Sequence, residues 1–221
     1  VLRGLFVTGT DTGVGKTVAA AALVHRCRGQ FPVRYWKPIQ TGIEQDDDTA
    51  DVARLAACSS DELFASGVRL ERPLSPHLAA KLAGTPIDVE ALIALVNAEA
   101  GPARWIVEGA GGVLVPVNEQ SNMADLIARL GLPAVVVART ALGTINHTLL
   151  TIEALRSRSI LIAGVIMVGA PNPDNRDAIE RYGCIEVLGE MPRFESLTAG
   201  ELAAWAASSL DRNGRLARLL R

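Results

Sequence analysis

The residues best suited to chemistry lie in one stretch, Thr8–Thr17, which reads Thr-Gly-Thr-Asp-Thr-Gly-Val-Gly-Lys-Thr. Gly9, Gly13 and Gly15 can take backbone angles that a Cβ forbids. The amides of Asp11, Thr12, Gly13, Val14, Gly15, Lys16, Thr17 and Val18 can therefore turn inward around an anion. A helix beginning near Lys16 would add unpaired N–H groups and the positive end of its dipole. Lys16 would reach the outer phosphates of a nucleotide, and the Thr17 hydroxyl would ligate Mg²⁺. Five residues separate Gly9 from Gly15, one more than the usual phosphate loop has. The bland alternative is a turn that binds nothing. The flanks argue against it, with apolar Leu5-Phe6-Val7 before the stretch and alanine-rich Val18–Val24 after it, the order strand, loop, helix.

Three further groups invite attention. Val33–Trp36 reads as a strand that Pro38 must end, which leaves Lys37 at its carboxyl end. In open parallel sheets, ligands bind outside those ends; a solvated surface lysine is the plain alternative. Trp105-Ile106-Val107 is another apolar strand, and it runs into Glu108-Gly109-Ala110-Gly111-Gly112. A carboxylate at the end of a buried strand can hold Mg²⁺ opposite a phosphate loop, and the glycines let backbone approach a ligand. Glu108 as an exposed strand-end residue is the competing reading. The run Asp46-Asp47-Asp48 precedes a helix expected from about Thr49 to Ala57. Capping of that helix is the simpler interpretation, and metal ligation by one carboxylate the alternative.

These groups need a scaffold, and the hydrophobic pattern supplies one. Further strands are expected at Ala134–Ala138, Ile160–Val168 and Val187–Gly189. Helices are expected at Val18–Arg28, Asp88–Ala98, Asp125–Leu130, Thr148–Arg156, Arg176–Tyr182, Glu201–Leu210 and Arg215–Leu220. Ser60–Gly84 reads as loop-rich, with a short helical pattern from Ser75 through Leu82. Strand and helix alternate throughout, so we expect a single α/β domain over residues 1–221, with a mostly parallel sheet covered by helices on both faces. His25 falls mid-helix, His77 in a loop and His147 near a helix start, none with metal-ligand or triad partners.

Composition bounds the partners. A net charge of −2 leaves no basic excess for general nucleic-acid binding. Cys27, Cys58 and Cys184 are scattered without metal or redox spacing, as expected of free thiols in a reducing compartment. No apolar run reaches membrane-spanning length, and no signal-peptide pattern opens the sequence, so a cytoplasmic location is expected. Val1 in place of Met reads as a processed or trimmed start. From the residues alone, a second lysine beside a γ-phosphate suits a magnesium-nucleotide enzyme that phosphorylates a small acid. The acid itself stays open.

Five motifs in order, Gly9–Thr17, Lys37-Pro-Ile-Gln-Thr-Gly42, Val107-Glu-Gly-Ala-Gly-Gly112, Leu142-Gly-Thr-Ile-Asn-His147 and Gly189-Glu-Met-Pro192, resemble the ATP-dependent dethiobiotin synthetases of the biotin pathway. That family carries the longer loop spacing. The resemblance implies a homodimer that closes a cyclic urea on 7,8-diaminononanoate from CO₂, ATP and Mg²⁺, through a carbamate and a carbamic–phosphoric anhydride. It implies that Thr17, Asp48 and Glu108 hold Mg²⁺, that Lys16 tracks the phosphates and that Lys37 stabilises the carbamate. Thr12, Thr41 and Gly111 would contact carbamate or amines. Leu142, Gly143, Thr144 and Asn146 would meet the distal carboxylate across the dimer interface. The nucleotide would also touch Gly109, Ala110, Gly169, Pro192, Arg193 and Phe194. Where many members read adenine with an asparagine after the fifth strand, this sequence has Met167-Val168-Gly169. Readings of the same fold that carry similar phosphate loops are an amidotransferase-type ligase and a phosphotransacetylase regulatory domain, and a rival of another class is a ParA/MinD-like partner-switching ATPase. That ATPase needs an additional lysine early in the loop, where Thr10 and Asp11 stand.

Overall fold

The computed structural model describes residues 2–221; Val1, read above as a trimmed start, lies outside them. Nine strands are present among the described residues: β1 (Gly4–Gly9), β2 (Val33–Trp36), β3 (Ile39–Thr41), β4 (Leu63–Phe64), β5 (Val68–Leu70), β6 (Arg104–Gly112), β7 (Ala134–Arg139), β8 (Ile162–Val168) and β9 (Val187–Met191). The helices are α1 (Lys16–Arg28), α2 (Asp48–Leu55), α3 (Pro76–Ala83), α4 (Val89–Ala98), α5 (Met123–Leu130), α6 (Thr144–Arg156), α7 (Pro173–Gly183), α8 (Ala199–Ser209) and α9 (Arg215–Leu219). Seven strands form one parallel sheet in the order β4-β2-β6-β1-β7-β8-β9, and β3 pairs with β5 in a small second sheet.

Both faces of the large sheet are covered, so its central strands are apolar without alternation. On β1, Leu5 and Val7 face a core with the alanine surface of α1, Val52 and Leu55 of α2, and Leu202 of α8. Phe6 faces the opposite core with Leu92 of α4, Leu126 of α5 and Leu155 of α6. The alanines of α1 matter here: small side chains let the helix that follows the phosphate loop lie close to the sheet.

Several boundaries differ from the sequence expectation. The helix expected from Thr148 begins at Thr144, so Thr144 and Asn146 are helical and His147 lies one turn in. His77 sits in α3 rather than a loop. The strand ending at Val107 continues through Gly112, because β1 pairs alongside it as far as Gly9↔Gly112. Within the loop-rich segment lie the short strands β4 and β5.

Candidate active site

The parallel register assembles the site. Trp36 on β2 pairs with Val107 on β6, and Val7 on β1 pairs with Glu108. Lys37 therefore emerges next to Glu108, with the phosphate loop leaving β1 on the other side. The Lys37 side chain is almost fully enclosed, and its Nζ lies 2.8 Å from Glu108 Oε1, 2.5 Å from Asp48 Oδ2 and 3.0 Å from the Gly109 carbonyl. The Thr17 hydroxyl lies 2.9 Å from Asp48 Oδ1 and 3.0 Å from Glu108 Oε1. Glu108 is 1% exposed, which excludes the reading of a solvated strand end. Its second oxygen accepts from the Tyr35 hydroxyl at 2.8 Å.

Burial disfavours the charged form of Lys37, but the charges of Glu108 and Asp48 outweigh it and hold its pKa above the ordinary lysine value. Asp48 is the mirror case: burial favours its neutral form, yet Lys37 and the Thr17 hydroxyl hold it below the usual carboxylate range. Lys16 lacks such a close acid. Burial, then the Lys37 charge, pull it down to about 8, and its Nζ folds back onto the Asp11 carbonyl at 2.9 Å. Tyr35, pushed well up by burial and by Glu108, stays a neutral donor.

The acidic run divides its work. Asp47 caps α2 by accepting from the Ala50 amide at 3.0 Å, while Asp48, one residue on, turns to Thr17 and Lys37. The capping expected of the run falls to Asp47, while Asp48 is a charge partner of Lys37.

A cavity of about 710 Å³ opens over this cluster. Thr12, Gly13, Gly15, Lys16, Thr17 and Val18 line it from the phosphate loop; Lys37, Thr41 and Asp48 line it from the second strand and its sequel; Glu108, Ala110 and Gly111 line it from β6. Val14 is buried beneath the loop, and Asp11 lies at the surface, where Arg139 Nη2 holds its carboxylate at 2.7 Å. The remaining expected residues stand apart from the cavity. Gly169 follows β8, and Pro192, Arg193 and Phe194 follow β9, all beyond the same carboxyl edge of the sheet. Leu142, Gly143, Thr144 and Asn146 cluster where β7 passes into α6. Leu142 is fully exposed there, and the Thr144 hydroxyl donates to the Arg139 carbonyl.

Helix starts show where anions are invited. Side chains cap α2, α4, α5, α7 and α8 through Asp47, Asp88, Asn122, Asn172 and Thr198. In contrast, α1 and α6, 13 residues each, open on left-handed glycines with no side-chain cap: Gly15 at φ 98° and Gly143 at φ 92°. At α1 the first amides and the dipole are left for a ligand. At α6 the Thr144 amide already donates to the Ala141 carbonyl at 3.1 Å, so what remains there without a side-chain cap is the dipole and the amides that follow. The short α9 also opens uncapped on a left-handed glycine, Gly214.

Sequence reasoning missed Tyr35, Gln40 and Arg139. Tyr35 was open to detection, since it lies two residues before Lys37 on a strand and so shares its face. Arg139 gave no signal, because its tie to Asp11 spans most of the chain.

A family model described as an AAA domain matches residues 3–201. The chain is 49% identical over 202 residues to the ATP-dependent dethiobiotin synthetase BioD of Paramagnetospirillum magneticum, covering 91% of this chain and 94% of that protein. It is 44% identical to the same-named protein of Rhodopseudomonas palustris strain CGA009, covering 94% of each. It is 48% identical to the biotin biosynthesis bifunctional protein BioCD of Bordetella avium, over 92% of this chain and 42% of that longer protein. Among solved structures, a ParA family ATPase from Chlorobium tepidum superposes with TM-score 0.58 at 12% identity, over 93% of this chain and 98% of that one. The septum site-determining protein MinD complexed with Mg-ADP, from Pyrococcus horikoshii, gives TM-score 0.58 at 15% identity, over 93% and 95%. At such identities these two likenesses bear on the fold alone.

Proposed function

The chain belongs to the ATP-dependent dethiobiotin synthetases, and from that membership we propose how its cavity closes a cyclic urea on a diamine. As a family member it is an ATP-dependent ligase of biotin synthesis. The substrates we propose are 7,8-diaminononanoate, CO₂ and ATP, at a site completed across a homodimer interface, in the cytoplasm. Free Cys27, Cys58 and Cys184 accord with a reducing compartment, and no helix among the described residues is long and apolar enough to cross a membrane.

In this reading one amine captures CO₂ as a carbamate. A carbamate oxygen attacks the γ-phosphorus, the bond to the β,γ-bridging oxygen breaks and ADP leaves. The second amine then attacks the carbonyl carbon, closes the ring and expels phosphate. The observation that carries this is the state of Lys37: buried, and kept protonated by Glu108 and Asp48. A lysine so held is a poor proton acceptor at neutral pH and a fixed positive charge, suited to a carbamate and to the phosphoryl group it attacks. Lys16 is free to leave the Asp11 carbonyl for the β- and γ-phosphates. The uncapped start of α1 would take phosphate oxygens. The uncapped start of α6, with Gly143, Thr144 and Asn146, would take the substrate's distal carboxylate. Thr12, Thr41 and Gly111 would border the carbamate and amines, while Gly169 and Pro192–Phe194 would border the base.

Thr17, Asp48 and Glu108 suit Mg²⁺. They offer one hydroxyl and two carboxylates, each carboxylate within hydrogen-bond distance of the hydroxyl, which is a hard-oxygen set that substrate phosphates would complete. When bound there, the ion would neutralise charge on the β- and γ-phosphates.

The test supplies labelled bicarbonate, MgATP and 7,8-diaminononanoate and looks for acid-stable label in a cyclic urea. Diamine-dependent incorporation is expected, and its absence would overturn the proposal.

A further inference from the structure

Gln40 lies on β3, three residues beyond Lys37, and is 1% exposed. Its amide is engaged at one end only. Nε2 donates to the Asp46 carbonyl at 2.7 Å, while buried Oε1 has no partner. Because a carbonyl can only accept, the amide's orientation is determined: the NH₂ group must face Asp46. A buried, unpaired oxygen is unfavourable, and a methionine would fill similar space without one. Gln40 also borders the cavity, and within the protein it is the bonded end that the glutamine engages.

That end holds the turn from which Asp48 departs. The Gln45 and Asp46 amides both donate to the Gly42 carbonyl, at 2.9 and 3.0 Å, and Asp47 then caps α2. Residues 43–47 are exposed, so no packing fixes them. Among the described residues, Gln40 supplies the hydrogen bond that reaches Glu44–Asp47 from outside the turn and its helix. Asp48, the first residue of α2, has to keep one oxygen 2.9 Å from Thr17 and the other 2.5 Å from Lys37. The start of the turn is held by the Gly42 and Ile43 amides, which donate to the Arg72 and Leu70 carbonyls at 3.1 and 3.3 Å, and Gln40 holds its far end, next to Asp48.

We infer that Gln40 is a positioning residue for Asp48, pinning the Asp46 carbonyl so that the carboxylate stays at the metal position beside Thr17. The inference rests on the reading of Asp48 as a metal ligand. It is tested by titrating Mn²⁺, followed by electron paramagnetic resonance, into the full chain with a non-hydrolysable ATP analogue. Gln40→Met should keep the fold and melting temperature, while its Mn²⁺ dissociation constant rises about tenfold, as for other groups that orient a ligand. In an Asp48→Asn background the same substitution should add almost nothing, which a purely structural role would not produce. Unchanged Mn²⁺ affinity in folded Gln40→Met, with wild type binding normally, overturns the inference alone. Failure of the wild type to hold Mn²⁺ better than the free analogue overturns the ligand reading and the inference together. Should Gln40→Met not fold, Gln40→Leu takes its place. Loss of fold in both would assign the amide to stability and also overturn the positioning role.

Discussion

The Lys37 ammonium lies 2.8 Å from a carboxylate oxygen of Glu108, where β2 ends beside the middle of the adjacent parallel β6, and the pair is screened from water. Such a pair is weak evidence of stability by itself, because desolvation opposes the attraction. Breaking it is another matter. Lys37→Ala would leave Glu108 and Asp48 without the cation bonded to both, with only the more distant charge of Lys16 to balance them. We expect a loss of about 3–5 kcal/mol in urea unfolding at neutral pH. Turnover should fall by about a thousandfold. Since the two stranded carboxylates would then favour protonation, the stability deficit should shrink as pH is lowered. Wild-type stability in this variant would show that the pair does not carry the charge balance of the site.

Tyr35→Phe removes the donor to the other Glu108 oxygen. A buried carboxylate that loses one hydrogen bond should destabilise the fold by about 1–3 kcal/mol. The hydroxyl is not assigned to any substrate, so kcat should drop less than about tenfold, a modest effect for an orienting group. Denaturation and steady-state assays together decide it. A collapse of kcat at unchanged stability would instead make Tyr35 a direct participant.

Lys16, held down to about 8 chiefly by burial, gives nucleotide binding a pH dependence. Below pH 8 the side chain is already charged and binding needs no proton. Above pH 8 the nucleotide-free protein has lost that proton, and phosphate binding has to restore it. ATP affinity should therefore weaken with pH above about 8, by up to about tenfold per unit, with uptake of one proton. Calorimetry in buffers of different ionisation heat reads that uptake directly; none at pH 9 would contradict it. For stability the sign is the reverse of an ion-paired lysine. The folded pKa lies below the unfolded one, so this group's contribution improves as pH rises from about 8 to the ordinary lysine value.

Base selection offers a further check. The proposed base site at Gly169 and Pro192–Phe194 follows Met167-Val168, which carries no side-chain amide, and the Asn175 amide donates to the Thr140 carbonyl at 3.0 Å. Without a polar side chain dedicated to the base, kcat/KM should favour ATP over GTP or CTP by no more than about a hundredfold. A preference near ten-thousandfold, typical of a site built on specific hydrogen bonds, would place a base-reading group elsewhere.

What could be read from the sequence follows the range of the interactions involved. Val33–Trp36 is a continuous apolar run ended by proline, and the observed β2 matches it residue for residue. The phosphate loop and the helix after it are local, and both stand as expected. The tail of β6 from Glu108 to Gly112 carries four small residues with little strand preference of their own, and pairing with β1 makes it a strand. β4 and β5, of two and three residues, are too short for any periodicity to register. Asp47 and Asp48 are chemically the same in sequence. One residue of position at a helix start separates cap from charge partner, and that is a property of the folded chain. Likewise the charge partner of buried Lys37 is an acid 71 positions away.

The sheet order carries a consequence for how the molecule is made. β1, which bears the phosphate loop, lies between β6 and β7, and neither of its neighbours is encoded before residue 104. During synthesis the first strand emerges with no sheet partner and waits while about a hundred more residues are added, on the order of ten seconds at ordinary translation rates. A growing chain stalled short of β6 would hold every atom of the phosphate loop and none of the strands that flank it. Nucleotide therefore becomes a ligand only late in the birth of this protein, and messages truncated before that point should yield products that aggregate and cannot be rescued by ATP.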